Sequence, residues 1–312
     1  MEFASTLLAG LVETPALLFI TVGLLGLIMG SFLNVVILRL PRIMEHEWRQ
    51  ECAALAAADA TEAAPDSGAG ADQGADQGAD APALSLSHPA SHCPHCGHRI
   101  RPWENIPVLS WLLLRGRCSA CAGAISWRYP AVEALTALLS LLVVWHFGPT
   151  SQAAAAALVF TWGLLALAFI DADTQLLPDD ITLPLLWLGL VLSLGGVFVD
   201  SQAAILGAAA GYLSLWLVFH AFRLLTGKEG MGRGDFKLLA LFGAWMGWQT
   251  LPQIVLLSAV PGAVLGIALV LSGRTERETP MPFGPFLAVS GWVNLLWGPD
   301  ITAAYLRFSG LA

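Results

Sequence analysis

Long apolar runs separated by short polar connections dominate the amino-acid sequence. A helix of roughly 20 apolar residues crosses the hydrocarbon core of a bilayer, and most of the runs approach that length. The runs comprise residues 17–38, 131–147, 153–170, 181–199, 203–222, 236–247, 252–271 and 283–297. The pattern predicts an all-α polytopic membrane protein with about eight transmembrane helices. Because the runs at 236–247 and 283–297 are short, we expect tilted or re-entrant helices there, or different ends.

The composition agrees with a membrane protein and excludes an ordinary soluble domain. Hydrophobic residues make up 56% of the chain, only 12% of residues are charged, and the mean hydropathy is +0.68. If the N-terminus lies outside the cytoplasm, every Lys and Arg except Arg307 falls in a cytoplasmic connection. The positive-inside rule predicts this orientation, with Asp171 and Asp235 at the cytoplasmic edge of the membrane.

A polar segment after the first run divides the chain. Between about residues 51 and 90 it consists mostly of Ala, Asp, Gly and Gln, which cannot bury enough apolar surface to offset the entropy of ordering. Much of the net charge of −8 comes from this segment, so the net charge says little about the fold. We predict no nucleic-acid partner. The predicted units are 1–42, the first transmembrane helix and its cytoplasmic exit; 43–92, a largely disordered insert; 93–130, a zinc-binding cytoplasmic domain; and 131–312, a membrane-embedded domain.

Two Cys-x-x-Cys motifs predict a metal site in the 93–130 unit. Cys93 and Cys96 form the first, Cys118 and Cys121 form the second, and 21 residues separate the two motifs. Four thiolates at such a spacing can surround one Zn²⁺ ion tetrahedrally. Two disulfides or a redox pair are the alternatives, although a cytoplasmic loop lies in a reducing compartment, which disfavours structural disulfides. We interpret the neighbouring His98 as a solvated side chain.

Two aspartates are the candidate reactive groups. Asp171 ends the third run, and Asp235 follows Gly232 and Gly234 at the start of the sixth. Two carboxylates within hydrogen-bond distance can share one proton, the arrangement by which aspartic proteases activate water against a peptide carbonyl. The two glycines would let an extended substrate backbone approach Asp235. A proton or cation transport site and structural ion pairing remain alternatives for the same acids.

Several other polar residues receive structural interpretations. Gly30, Ser31 and Asn34 share one face of the first helix, where they can pack against another helix and hydrogen-bond across it. We expect Glu133 to form an ion pair with Arg128 or another loop arginine.

Three charged residues lie near the predicted aspartate pair. Asp179 and Asp180 follow Pro178 and are expected to cap a helix N-terminus. Lys237, two residues after Asp235, is expected to meet lipid headgroups.

Taken in order, these motifs resemble the bacterial type IV prepilin peptidases, also called prepilin leader peptidase/N-methyltransferases, which are GxGD-type aspartic proteases of the membrane. The resemblance covers nearly the whole chain outside the Asp-Gly-rich segment. It rests on residues 30–34, 39–42, the two cysteine motifs, Asp171, 177–179 and 232–238.

The resemblance implies a fold, an activity and partners. Asp171 and Asp235 would be the catalytic pair, and Cys93, Cys96, Cys118 and Cys121 would bind zinc in a methyltransferase-associated domain. The implied substrates are prepilins and pseudopilins, cut after a Gly and then N-methylated on the new first residue, usually Phe, from S-adenosylmethionine. The implied location is the bacterial inner membrane. The sequence contains no Gly-x-Gly-x-x-Gly turn after a soluble strand, so the residues that bind the methyl donor stay unassigned.

Overall fold

A computed structural model describes residues 14–62, 85–228, 230–273 and 282–310. These residues form helices joined by turns, and the described ranges contain two isolated β-bridges but no β-strand. The helices are α1 (Pro15–Glu62), α2 (Leu109–Leu113), α3 (Arg128–Phe147), α4 (Gln152–Thr174), α5 (Asp179–Leu194), α6 (Ser201–Thr226), α7 (Gly234–Met246), α8 (Leu251–Leu271) and α9 (Gly284–Ser309). Short 3-10 helices occupy Pro102–Asn105 and Trp248–Thr250.

The predicted all-α membrane architecture is confirmed. Each of the apolar runs corresponds to one helix, and 5 helices within the described ranges are long and apolar enough to cross a bilayer. These five are α1, α3, α4, α6 and the segment that contains α8. The other three apolar helices, α5, α7 and α9, pack against these helices and against one another in the same bundle.

The first helix is much longer than its apolar run. α1 has 48 residues, which corresponds to about 72 Å, whereas the hydrocarbon core of a bilayer measures about 30 Å. The structure therefore differs from the sequence expectation over 43–62, which is helical rather than disordered. Ala, Leu, Glu, Gln and Arg dominate this stretch, and all five favour helix, so the helix continues past Pro41. Residues 63–84 of the predicted insert lie outside the described residues.

The last helix is also longer than predicted. The run at 283–297 marks only the first part of α9, which continues to Ser309 past Pro299. Its polar residues beyond 297 end the apolar pattern without ending the helix. By contrast, the run at 236–247 is short because α7 itself has only 13 residues.

α7 lies inside the bundle and forms its main core. From Asp235 to Trp245 all its residues except Lys237 are buried, and α5, α6 and α9 pack around it. Trp245 is fixed by a hydrogen bond of 2.8 Å from its Nε1 to the Leu185 carbonyl oxygen, and its ring packs against that of Phe160 in a tilted contact with the ring centres 4.6 Å apart. A buried helix of this kind is apolar on all sides, which explains the continuous run in the sequence.

Glycines let α6 approach α7 at backbone distance. A Cβ atom on Gly211 would lie 2.6 Å from the Leu239 carbonyl oxygen, and one on Gly243 would overlap with the carbonyl group of Gly207. Small residues at helix crossings allow this close approach in membrane bundles.

A second, smaller core joins α1, α3 and α4. Leu33 and Ile37 of α1 pack with Val132 of α3 and with Ile170 of α4. Glycines again bring the first pair of helices together, since a Cβ atom on Gly30 would lie 2.6 Å from the Cα atom of Glu133.

We predict that Gly243→Ala destabilises the protein. The added methyl group meets the α6 backbone, which cannot rotate away as a side chain could, so the free energy of unfolding should fall by about 1–3 kcal/mol or more. Thermal unfolding of the purified protein in detergent measures the change. Gly23→Ala is the matched control, because a Cβ atom there lies 3.9 Å from its nearest neighbour, Leu141. Equal stability of the two variants would contradict the backbone contact.

Candidate active site and metal centre

The two predicted aspartates lie at the same end of the bundle. Asp171 is in the last turn of α4 and Asp235 is the second residue of α7. Both side chains are buried, with 5% and 6% of their surface exposed. Neither takes part in an ion pair with any basic residue of the described ranges. The helix packing thus brings two acids together without a cation between them.

A backbone amide orients Asp171. The N–H of Gly284, at the start of α9, donates a hydrogen bond of 3.0 Å to Asp171 Oδ2. The contact requires a glycine, since a Cβ atom at this position would lie 2.6 Å from the same oxygen. One carboxylate oxygen is therefore fixed by an amide donor from a helix that lies more than a hundred residues away in the sequence.

The two glycines before Asp235 lie in different surroundings. A Cβ atom on Gly232 would have Asp235 Oδ2 as its nearest neighbour, at 3.8 Å, so the backbone is open next to the carboxylate. A Cβ atom on Gly234 would lie 2.7 Å from the Leu177 Cβ atom. Gly234 therefore allows the turn before α5 to pack against α7.

An ion pair connects α5, the helix after Asp171, to α7, the helix that bears Asp235. Lys237 Nζ lies 2.7 and 2.6 Å from the two carboxylate oxygens of Asp179. The expectation that Lys237 meets lipid headgroups is wrong, because its helix face points to the start of α5. Asp179 and Asp180 do begin α5 as expected, but no side-chain hydrogen bond caps that helix.

A second ion pair connects α3 to the end of α4. The guanidinium group of Arg128 donates to both oxygens of Asp173, at 3.0 and 2.5 Å, and lies 5.4 Å from the ring centre of Phe169. The predicted ion pair of Glu133 with Arg128 is therefore wrong. Glu133 instead accepts a hydrogen bond of 2.7 Å from the Val108 backbone N–H.

The polar face predicted on the first helix is confirmed. Asn34 is buried and its Nδ2 donates to the Tyr129 carbonyl oxygen of α3 at 3.1 Å. Gly30 makes the close contact with Glu133 already described. This face therefore holds α3, and with it the loop that bears Val108, against α1.

The four cysteines of the two motifs meet in one cluster. Cys93, Cys96, Cys118 and Cys121 place their sulfur atoms within 4.8 Å of one another, and the Cys93 and Cys121 sulfurs are 3.9 Å apart. Zn–S bonds of about 2.3 Å in a tetrahedron put the sulfurs about 3.8 Å apart, so the cluster fits one metal ion.

Local backbone geometry favours a thiolate at Cys93. The backbone N–H groups of His95 and Cys96 lower the pKa of the Cys93 thiol to about 7. A thiolate is the form in which cysteine binds a metal ion.

Glu104 connects the two cysteine motifs. One of its carboxylate oxygens accepts a hydrogen bond of 2.6 Å from the Ser119 hydroxyl, and the other lies 3.2 Å from His98 Nε2 and 2.9 Å from the Arg101 backbone N. These donors, led by the Ser119 hydroxyl, hold the pKa of Glu104 at about 2. His98 is therefore half-buried and bonded, not solvated as the sequence suggested.

Gly284 is the site residue that sequence reasoning missed, and Arg128 was expected beside Glu133, whereas it pairs with Asp173. The Pro285 that follows Gly284 marks a helix start, which could have been read from the sequence. Nothing in a local pattern could show that this helix start meets Asp171.

Comparison with protein families settles the relationship of the chain. A bacterial peptidase A24 N-terminal domain matches residues 24–147, and the type IV leader peptidase family matches residues 158–267. The chain belongs to the type IV leader peptidase family. The first match covers α1, the cysteine cluster and α3, and the second contains both Asp171 and Asp235.

Curated relatives of this type IV leader peptidase match over nearly their whole length. A protein named prepilin leader peptidase/N-methyltransferase from Stutzerimonas stutzeri is 52% identical over 96% of this chain and 98% of the relative. The protein of the same name from Pseudomonas aeruginosa is 52% identical over 97% and 99%, and that from Legionella pneumophila is 43% identical over 96% and 98%. No solved structure matches the chain.

Proposed function

We propose that this membrane protein cleaves the leader peptides of type IV prepilins and pseudopilins and N-methylates the new N-terminal residue. The observation that carries the proposal is the pair of buried aspartates, Asp171 and Asp235, in a chain whose relatives over almost the full length bear the name prepilin leader peptidase/N-methyltransferase. Cleavage after a Gly and methylation of a Phe are the expectations for this family.

In the proposed cleavage the two carboxylates act as acid and base. The ionised carboxylate removes a proton from a water molecule that attacks the peptide carbonyl, while the protonated one donates its proton to the carbonyl oxygen. The carboxyl group that took the proton from water then donates it to the leaving amine, and the other carboxylate regains its proton as the intermediate collapses. Gly284 holds one oxygen of Asp171 through its N–H, which fixes the direction of that group. The open backbone at Gly232 leaves room for an extended substrate beside Asp235.

The cysteine cluster is proposed to bind one Zn²⁺ ion. Its dimensions fit four sulfur ligands, and the ion would stabilise the module that spans both cysteine motifs. The methyl donor is proposed to be S-adenosylmethionine, in keeping with the N-methyltransferase in the relatives' name.

The enzyme is proposed to lie in the bacterial inner membrane with its N-terminus in the periplasm. The distribution of Lys and Arg supports this orientation. It would place the aspartates and the cysteine cluster at the cytoplasmic face, where prepilin leaders are accessible. No observation favours the transport alternative for the two acids.

We predict that Asp171→Asn and Asp235→Asn each abolish cleavage of a purified prepilin. Loss of one acid–base group should lower the rate by about 10²–10⁴-fold, because the remaining carboxylate cannot both activate water and protonate the leaving group. Mass spectrometry of the product measures cleavage. Asp200→Asn is the control, since Asp200 only caps α6. Normal cleavage by either variant would remove that aspartate from the catalytic pair.

We predict that Gly284→Ala lowers cleavage by about 10²-fold. The methyl group would displace the carboxylate of Asp171 from its amide donor without changing the charge of either aspartate. The same prepilin assay measures the effect. Gly262→Ala is the matched control on the neighbouring helix α8, where a Cβ atom meets Phe286 at an ordinary 3.7 Å. If both variants cleave at the wild-type rate, the Gly284 contact is not required.

We predict that Cys118→Ser removes zinc from the protein and lowers methylation at least as much as cleavage. Three thiolates bind the ion less tightly than four, and the module that depends on it loosens. Metal analysis of the purified protein should find about one zinc per chain in the wild type and little in the variant. Cys52→Ser, at an exposed position on α1, should keep the ion. Zinc retained by Cys118→Ser would contradict the assignment.

A further inference from the structure

Glu133 is a buried carboxylate that the proposed cleavage does not use. It lies on α3 where that helix packs against α1, and only 7% of its surface is exposed. Its Oε2 accepts the hydrogen bond of 2.7 Å from the Val108 backbone N–H. This donor is neutral. An ionised carboxylate buried in a membrane protein is costly unless a cation accompanies it.

No basic residue in the described ranges forms an ion pair with Glu133. Arg128, the only Arg or Lys of α3, directs its guanidinium group to Asp173 instead. An ionisable residue that is buried in a membrane protein without such a partner is a candidate ligand site, and here the ligand would be a cation.

The donor to Glu133 is held in a strained conformation. Val108 has φ of 59° and ψ of −47°, a region in which a β-branched residue costs on the order of 1–3 kcal/mol. Such strain persists only where the surrounding structure imposes it, and it concentrates at ligand sites. In this protein it turns an N–H of the cysteine-bearing module toward Glu133 and fixes the carboxylate without neutralising it.

The helix that bears Glu133 packs beside the end of α4, where Asp171 lies. Val132, the residue before it, packs in the same buried cluster as Ile170, the residue before Asp171. The Arg128–Asp173 ion pair joins the same two helices at their ends. Glu133 and Asp171 therefore lie on two helices that pack against each other near the same end of the bundle.

We propose that Glu133 binds the positively charged amino group that cleavage creates at the new N-terminus and accepts its proton before methyl transfer. This inference rests on the proposed N-methyltransferase function. An α-amino group has a pKa of about 8, so it is mostly an ammonium ion near neutral pH. The ammonium ion has no lone pair with which to attack a methyl group. A carboxylate that binds the ion and takes one proton supplies the reactive amine.

Proton transfer to Glu133 precedes methyl transfer to the amine. One N–H bond of the ammonium ion breaks, and the proton goes to Glu133. The free amine then forms a bond to the methyl carbon of S-adenosylmethionine while the bond between that carbon and sulfur breaks, and its electron pair leaves with S-adenosylhomocysteine. The product is a methylated ammonium ion, and Glu133 loses its proton to water before the next turnover.

Methylation of a synthetic peptide that begins with Phe tests the assignment in the full-length protein. Glu133→Gln keeps a carbonyl oxygen for the Val108 N–H but removes the charge, so we expect methylation to fall by about 100-fold or more while prepilin cleavage continues. Glu133→Asp keeps a carboxylate and should retain part of the methylation. Glu45→Gln, at an exposed position on α1, is the matched control and should behave as the wild type.

Binding gives a second readout that does not depend on turnover. A companion peptide carries a hydroxyl group in place of the N-terminal amino group. The wild type should bind the amine peptide about tenfold more tightly than the hydroxyl peptide, since only the amine offers a charge-assisted hydrogen bond. Glu133→Gln should bind the two peptides equally.

The outcomes separate this inference from the function on which it rests. A wild-type protein that cleaves but never methylates would refute the N-methyltransferase function itself. If the wild type methylates and Glu133→Gln methylates equally, or keeps its preference for the amine peptide, the assignment of Glu133 is wrong. Weaker binding of S-adenosylmethionine with unchanged peptide binding would place Glu133 at the donor and overturn the assignment too.

A measurement on the wild type decides the question if Glu133→Gln does not fold. The amine peptide should protect Glu133 from modification by dicyclohexylcarbodiimide, which reacts with buried carboxyl groups, and the hydroxyl peptide should not. Peptide mapping by mass spectrometry locates the modification. Equal labelling with both peptides would overturn the proposal.

Discussion

The enclosure of α7 within the bundle is the constraint on which the aspartate pair depends. Its 13 residues form about 20 Å of helix, too short to cross a bilayer core of about 30 Å, so packing by neighbouring helices must define its position. The glycines of α6 allow backbone contact on one side, and the Trp245 hydrogen bond to α5 fixes another. Asp235, at the start of this helix, is therefore positioned by the core and not by a loop.

α4 transmits that constraint to the rest of the molecule. Leu164 and Leu167 belong to the large core around α7, whereas Leu165 and Ile170 belong to the smaller core with α1 and α3. Successive residues of one helix thus face two different cores. Asp171, one residue beyond Ile170, lies where the two parts of the bundle meet, so a displacement of either part moves the carboxylate.

The sequence was sufficient for the elements and for the chemistry that local spacing encodes. Apolar runs located the helices because a membrane helix needs a continuous apolar surface, and the Cys-x-x-Cys spacing located the cluster because each pair binds through one tight turn. Sequence reasoning failed where a partner is distant in the chain. The sequence predicts lipid headgroups beside Lys237 and an ion pair between Glu133 and Arg128, because a local pattern shows only residues that are close in the chain. In the structure Lys237 pairs with Asp179, and Glu133 accepts a hydrogen bond from Val108.

The helix ends show a different limit. α1 continues to Glu62 because helix propensity does not require apolar residues, so a segment that cannot form a core can still form a helix. Hydropathy measures the part of a helix that lies in the membrane. It carries little information about where the helix itself stops, as the C-terminal end of α9 also shows.

The distribution of ion pairs at this end of the bundle is the reverse of what stability alone would favour. The acids that have basic partners are partly exposed: the side chain of Asp173 is 35% exposed and that of Asp179 is 49% exposed. Pairs this exposed contribute little, commonly about 0–1 kcal/mol. Asp171, Asp235 and Glu133 are buried, yet none has a cation within the described residues.

A fold selected only for stability would pair its buried carboxylates first, because an unpaired buried charge is the more costly defect. Here the cations serve instead to join helices around the site, and the buried acids are left to interact with something that is not part of the chain. For Asp171 and Asp235 that partner is proposed to be a water molecule and a peptide bond. For Glu133 the proposed partner is the positively charged amino group that cleavage at the two aspartates would produce.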